Sequence, residues 1–391
     1  MRMKLSDFCE INPRLTLKKG QLAKKIAMTD LPIFGKSIKS YSIEKYNGGT
    51  KFQNGDTLMA RITPCLENGK GGYVDILDEG EVGFGSTEYI VFRGKLGVSD
   101  SQFLYYFINT HEFRDIAIKS MTGTSGRQRV QTDLIANMEF DFPELDEQRK
   151  IATILCYIDE KIKVNNKLNA NLEEMGLVLY KKFFIDEHQE SWIKGTIVDL
   201  GAVVGGSTPS KSKDEYYCES GIPWITPKDL SNNKNKFIER GDIDITELGL
   251  QKSSAKVMPA GTVLFSSRAP IGYIAIAKNE VTTNQGFKSV VPNENIGTAY
   301  IYYFLKYNLE KIENMASGST FKEVSGTIMK NIEAIIPDEI VLKEFNMLCM
   351  SLFKQQEILE EEKQRLMDLR DILLPKLMSG DIDLSEVEVF V

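Results

Sequence analysis

Arg127, Gln128 and Arg129 follow one another directly, and their side chains suit the edges of nucleic-acid bases. A guanidinium can donate two hydrogen bonds to guanine, and a carboxamide can exchange two with adenine. Ahead of them stand Thr122, Gly123, Thr124 and Ser125, small residues that let a backbone approach phosphate. A comparable loop recurs at Ser317 to Lys322 and includes Ser319. Arg61 and Arg268 sit beside Pro64 and Pro270 after two similar segments. Ser207, Thr208, Ser210, Lys211 and Lys213 make a polar, basic loop able to hold phosphate. Lys228 follows Trp224 and Thr226, and Asn284 and Gln285 are amides suited to adenine edges. The competing readings are solvated turns, salt bridges within the fold for Arg61 and Arg268, and a core position for Trp224, which Ile222, Pro223 and Ile225 surround.

Catalysis finds little support. The chain has no N/D-P-P-Y/F tetrapeptide, which an adenine methyltransferase needs to grip the target amino group. Gly35-Lys36-Ser37 resembles the end of a phosphate-binding loop, but Asp30 stands where that motif needs glycine. His111 and His188 are the two histidines, too few for a histidine triad or metal cluster. Cys9, Cys65, Cys156, Cys218 and Cys349 are scattered, with no CxxC spacing, which points to reduced thiols.

The net charge of -7 is uneven along the chain. Residues 1–142 and 191–337 each carry slightly more Lys and Arg than Asp and Glu, and residues 143–190 and 338–391 hold the excess acid. Two near-neutral globular parts imply weak binding to DNA unless a partner adds positive surface. The 391 residues contain no run of 18 apolar residues, and the segment MRMKLSDFCEINP lacks the apolar centre of a signal peptide, so a cytoplasmic protein is expected.

Four segments must position these side chains. Residues 1–142 read as a strand-rich domain, with strands in GDTLMARI, GGYVDIL and TEYIVFR and a helix over Ser101 to Lys119 capped by Ser99-Asp100. Residues 143–190 read as a helix of about 40 residues, about 60 Å long. Residues 191–337 repeat the first domain: GDTLMARITP matches AGTVLFSSRAP, FLYYFIN matches YIYYFLK, TGTSG matches SGST, and FDFP matches AIIP. Residues 338–391 form a second long helix. A seam of Ile151, Ile154, Ile158, Lys161, Asn165, Leu168, Leu172, Met175 and Leu179 is copied position for position by Phe345, Leu348, Leu352, Gln355, Leu359, Glu362, Leu366, Leu369 and Leu373. The expected fold is α+β: two tandem α/β domains, each followed by a long helix.

Antiparallel pairing of the two seams puts Lys161 beside Glu362 and Asn165 beside Leu359. Parallel pairing leaves Glu362 against Leu168 with no charge partner, which is costly in a seam. The expectation is therefore an antiparallel coiled coil with pseudo-two-fold symmetry.

Pro143-Glu144 through Gln148-Arg149-Lys150-Ile151, the segments GGSTPS and IPWITPKDL between Gly205 and Leu230, TTNQGFKS at Thr282 to Ser289, and LLPKLMSGDIDL at Leu373 to Leu384 form an ordered set. Together they resemble the specificity subunit of type I restriction-modification enzymes. The resemblance implies a non-catalytic reader of a split, gapped site on double-stranded DNA, with one target-recognition domain per half-site and the paired helices as a ruler. It implies assembly with two modification subunits and, in the full nuclease, two restriction subunits. S-adenosylmethionine on the former and ATP with Mg on the latter would be the cofactors, none of them held by this chain. The alternative from another class is a protein-interaction scaffold with duplicated domains.

Overall fold

A computed structural model describes all residues except Ser125, Ser319 to Phe321, and 386–391. The chain divides into two compact units, Met1–Lys163 with Arg365–Val391, and Val164–Gln364. The central helix runs Leu145–Lys181 and ends in a π-helical turn, Lys182–Asp186. The C-terminal helix runs Glu339–Ser379. Each unit therefore takes part of both helices.

In the first unit, one sheet holds Cys9–Ile11, Tyr89–Gly94, Thr57–Ala60 and Gly71–Tyr73 in that spatial order. A second sheet orders Ser42–Lys45, Leu22–Ile26, Gly83–Gly85 and Thr50–Phe52. The strands expected in GDTLMARI, GGYVDIL and TEYIVFR are present, and their apolar runs are buried on both faces: Met59, Ile90 and Phe92 pack with the helix after Asp100, and Leu58, Tyr89 and Val91 fill a second cluster. Asp100 Oδ1 accepts from the amides of Gln102 at 3.0 Å and Phe103 at 2.9 Å, the expected cap. The single helix expected over Ser101 to Lys119 is two, Ser101–Ile108 and His111–Lys119. Thr110 makes the break: its Oγ1 accepts from the Phe113 amide at 3.2 Å and starts the second helix. Phe8 stacks on Phe142 at 3.6 Å between centroids, tying the ends of the domain together.

The second unit repeats this plan with an enlarged sheet ordered Gly201–Gly205, Lys288–Pro292, Val263–Ser267, Ile271–Ala277 and Phe237–Ile238. A smaller sheet carries Tyr217–Cys218, Ile243–Ile245, Ile222–Ile225 and Thr282–Thr283. The backbone echoes the first unit closely. Thr63-Pro64 and Ala269-Pro270 are both cis, and Gly123 and Gly318 have φ of 131° and 128°.

The helices run antiparallel within each unit. In the first, Asp159 Oδ1 accepts from Arg370 Nη1 at 3.1 Å and the Lys150 ammonium donates to the Leu384 carbonyl at 2.8 Å. In the second, Asn165 pairs with Glu362, Asn169 with Glu360 and Glu173 with Gln356. Asn165, expected beside Leu359, thus bonds to a residue one turn further along. Glu362, expected beside Lys161, accepts from Asn165, and Lys161 belongs to the first unit.

The composition of the seam differs from the expectation. Leu168, Met175, Leu348 and Leu369 are 40 to 52% exposed, whereas Asn165, Gln356 and Glu360 are buried. In the second unit the C-terminal helix serves the domain core as well as its partner helix: Phe345, Cys349 and Phe353 pack with Tyr300 and Tyr303 of the domain. That demand takes large apolar positions away from the seam and leaves polar residues in it.

Lys236 marks the deepest of these contacts. It forms an ion pair with Glu173, donates to Gln356 Oε1 at 2.5 Å, and lies over the rings of Tyr302, Tyr303 and Phe353. Burial lowers its pKa to about 8 against the opposing pull of Glu173. Burial raises the Glu173 carboxyl, but Lys236 and Lys306 together hold it below the usual range.

Candidate nucleic-acid interface

Strand direction decides which loops gather. In the first unit Ile11 pairs with Phe92 and Ala60 with Tyr89, both antiparallel, so the ends of the strands at Ile11 and Ala60 and the start of the strand at Tyr89 share one end of the sheet. The loops leaving that end are residues 12–21, 61–70 and 86–88. The hairpin of residues 122–129 joins them through bridges from Arg129 to Ile62 and to Thr122. In the second unit Gly205 pairs with Lys288, and Ser266 bridges to Phe287. Residues 206–213, 268–270 and 284–287 therefore emerge at the corresponding end, joined by Ser317 and Glu323, which bridge to each other next to the bond from the Val324 amide to the Ser267 carbonyl.

This topology unites most of the residues singled out from sequence. In the first unit, the Gln128 amide donates to Thr63 Oγ1 at 3.1 Å, and Thr124 and Arg127 are exposed on the turn. Arg61 Nη2 donates to the Val130 carbonyl at 3.3 Å, and its buried Nε has no hydrogen-bond partner among the described residues. Arg129 grips Glu88: Nε lies 3.1 and 2.9 Å from the two carboxylate oxygens, and Nη2 lies 2.7 Å from one of them. The guanidinium holds the Glu88 carboxyl below its usual pKa. Ser125 lies outside the described residues.

In the second unit the Thr208 hydroxyl donates to the side-chain oxygen of Gln285, which joins the basic loop to the amide turn. Gly206 permits that approach, because a Cβ there would lie 2.0 Å from the Asn284 carbonyl oxygen. The Ser207 carbonyl accepts from Trp224 Nε1 at 3.0 Å, so Trp224 is both buried and hydrogen-bonded. Asn284 Oδ1 accepts from the Gly286 amide at 2.8 Å and shapes the turn. Lys211, Lys213 and Lys322 are exposed. Lys228 reaches the same rim on a short helix whose Pro227 lies against Gly286, and its ammonium is 3.3 Å from Asp242. Arg268 Nη1 is 3.5 Å from Glu323 Oε2. Ser319 lies outside the described residues.

Arg61 and Arg268 do not occupy equivalent places. The Val130 amide donates to the Arg61 carbonyl and the Val324 amide to the Ser267 carbonyl, at 2.9 and 3.0 Å, so Arg61 corresponds to Ser267 and Arg268 to Ile62. Matching the two segments at Gly55 and Gly261 and at Pro64 and Pro270 gives the same one-residue offset.

Sequence reasoning passed over Arg14, Lys18 and Lys19. They lie exposed on the loop after the strand at Ile11, the counterpart of the loop that carries Lys211 and Lys213. Lys288 was also passed over, although its ammonium approaches Ser267 Oγ, the Gln285 carbonyl and Glu323. The signal was available in TTNQGFKS, where the lysine follows the amides by three residues.

Two loop clusters of one kind, each at the same end of a repeated sheet, are the geometry of a duplicated recognition module. The family model for the type I restriction modification DNA specificity domain matches twice, at residues 1–174 and 189–361. The chain belongs to that family. Over 191 residues it is 41% identical to the MjaIX type I restriction enzyme specificity subunit of Methanocaldococcus jannaschii, a match covering 46% of this chain and 44% of the relative. The chain thus spans under half the length of that relative. The HindI specificity subunit of Haemophilus influenzae is 23% identical over 408 residues, covering 84% of this chain and 87% of the relative. A crystal structure of the type I restriction-modification S subunit from M. genitalium superposes with a TM-score of 0.58 at 16% identity, over 97% of this chain and 96% of that one, and supports the fold. Among the described residues, no helix is long and apolar enough to cross a membrane.

Proposed function

We propose that this specificity-family chain reads a split DNA site, one half with each sheet-end loop cluster, and leaves catalysis to its partners. The observation that carries the reading is the duplication of the cluster: the same four loops leave the same end of the same sheet in each unit, with different side chains. Two such modules specify bases at two positions and ignore those between. The partners are methyltransferase subunits that supply S-adenosylmethionine and place it over adenines in the half-sites. In a full nuclease, restriction subunits supply ATP and Mg chemistry. Two copies of each partner suit a reader with two modules.

The near-neutral charge of each globular part supports this division of labour. Phosphate contacts set most of the affinity of DNA binding, and a reader with little excess positive charge depends on its partners for it. Mapping methylated positions by sequencing, in cells making this chain with its methyltransferase partner, tests the reading. A gapped, adenine-containing motif is expected. Methylation with no motif, or none that depends on this chain, would leave a protein-interaction scaffold as the better account.

A further inference from the structure

The two hairpins at the sheet ends close on residues of opposite charge at one and the same position. Arg129 bridges back to Thr122, and Glu323 bridges back to Ser317. The next residue in each, Val130 or Val324, donates its amide to the strand end at Arg61 or Ser267. The backbone is repeated and the charge is reversed.

The surroundings are reversed as well. In the first unit the carboxylate comes from Glu88 on the neighbouring loop, and it meets Arg129 side-on, through Nε and Nη2 at 2.7 to 3.1 Å. That grip fixes the guanidinium plane, and among the described residues the end-on edge, Nη1 and the second hydrogen of Nη2, has no acceptor. The edge fits the paired O6 and N7 acceptors of guanine. In the second unit the cations come from a neighbouring loop, Arg268, and from the start of a neighbouring strand, Lys288, and the carboxylate is that of Glu323. Glu323 meets Arg268 and Lys288 at 3.5 and 3.3 Å, the loose end of the hydrogen-bond range. Its oxygens keep acceptor capacity, and the two cations offset its repulsion of phosphate. An acceptor held in this way suits the exocyclic amino group of cytosine or adenine.

We propose that Arg129 and Glu323 are the specificity-determining residues at which the half-sites diverge: the first unit requires a guanine acceptor edge there, and the second an amino-bearing base. Glu88 is a positioning residue for Arg129. The proposal rests on the reading of each unit as a half-site reader.

The test maps methylated motifs in cells making the methyltransferase partner with the wild-type chain or with Arg129→Ala, Glu88→Gln or Glu323→Gln. Arg129→Ala is expected to release one required guanine in one half-site and leave the other half-site and the spacing intact. Glu323→Gln is expected to relax one position in the opposite half-site. Glu88→Gln keeps the guanine requirement but lowers discrimination there, by about tenfold for one weakened base contact. A motif unchanged in both half-sites, with methylation merely reduced, would overturn the proposal and make the pairs supports of the fold. If a variant methylates nothing, the purified complex is assayed for binding to duplexes carrying single base changes. Loss of discrimination at one position of one half-site upholds the proposal, and wild-type discrimination at every position sinks it. A wild-type complex that shows no split motif fails the half-site reading itself, an outcome separate from any of these.

Discussion

Asn165 Nδ2 donates to Glu362 Oε2 at 2.8 Å, joining the central and C-terminal helices at a buried polar position. A polar pair in a helix seam fixes which residues face each other, because sliding either helix would strand the amide or the carboxylate.

Antiparallel direction follows from the contacts beyond that pair. Cysteines at Leu179 and Leu348 should be joined by a short bis-maleimide, while cysteines at Leu179 and Glu362 should not. A parallel pair seated on the same Asn165 and Glu362 contact would carry Leu179 and Leu348 about 40 Å apart at 1.5 Å per residue. Gel mobility of the treated variants reads the answer.

Lys236 gives the second unit a stability that depends on pH. Its folded pKa, about 8, lies below the ordinary lysine value of 10.5. Between those values the unfolded chain binds more protons than the folded one, so this group's contribution rises as pH increases through that window. Compared with Lys236→Met, the wild-type chain should therefore gain stability from pH 8 to pH 10, by at most about 3 kcal/mol at 1.36 kcal/mol per pKa unit. Paired denaturation curves across that range measure it, and a constant difference would contradict the prediction.

Gly176 stands within the long central helix for a packing reason. A Cβ there would fall 1.9 Å from the Tyr303 hydroxyl, which is buried. Helix propensity alone favours alanine by about 1 kcal/mol. Overpacking costs about 1–3 kcal/mol. Gly176→Ala should lower the urea midpoint, whereas an unchanged or higher midpoint would show that Tyr303 moves freely.

Arg14, Lys18 and Lys19 should act on phosphate rather than on bases. Replacing all three with alanine in the complex should weaken DNA binding and flatten its salt dependence, by roughly 0.9 in log–log slope for each lost phosphate contact. The methylated motif should stay the same. A changed half-site would reassign these residues to base reading.

The sequence made the architecture legible wherever a local pattern governs a local structure. Apolar runs set off by glycines and acidic turns, such as TLMA and YIVF, became strands, Asp100 became a cap, and the repeat of FLYYFIN as YIYYFLK became two buried helices at equivalent places. The seam was legible in length and direction. Its composition was not, because Phe345, Cys349 and Phe353 also answer to the domain core.

For the interface, residue type was enough to single out Arg127 to Arg129, Thr208 and Gln285. It could not show which of these side chains the fold itself holds in place, or by what partner. Lys228 is paired with Asp242 and Arg129 with Glu88, and both partners are remote in sequence. Arg14 and its neighbours were overlooked because only the strand order brings their loop to the same sheet end as Glu88.

What the sequence determined by itself is a duplicated α+β chain with two long helices, since hydrophobic period and internal repetition are properties of neighbouring residues. Only the tertiary structure decided which loops share an end, and that Arg129 and Glu323 stand at the same place with opposite charge. Those relations are set by strand pairing between segments far apart in the chain, where the partner of any residue depends on the register of the whole sheet.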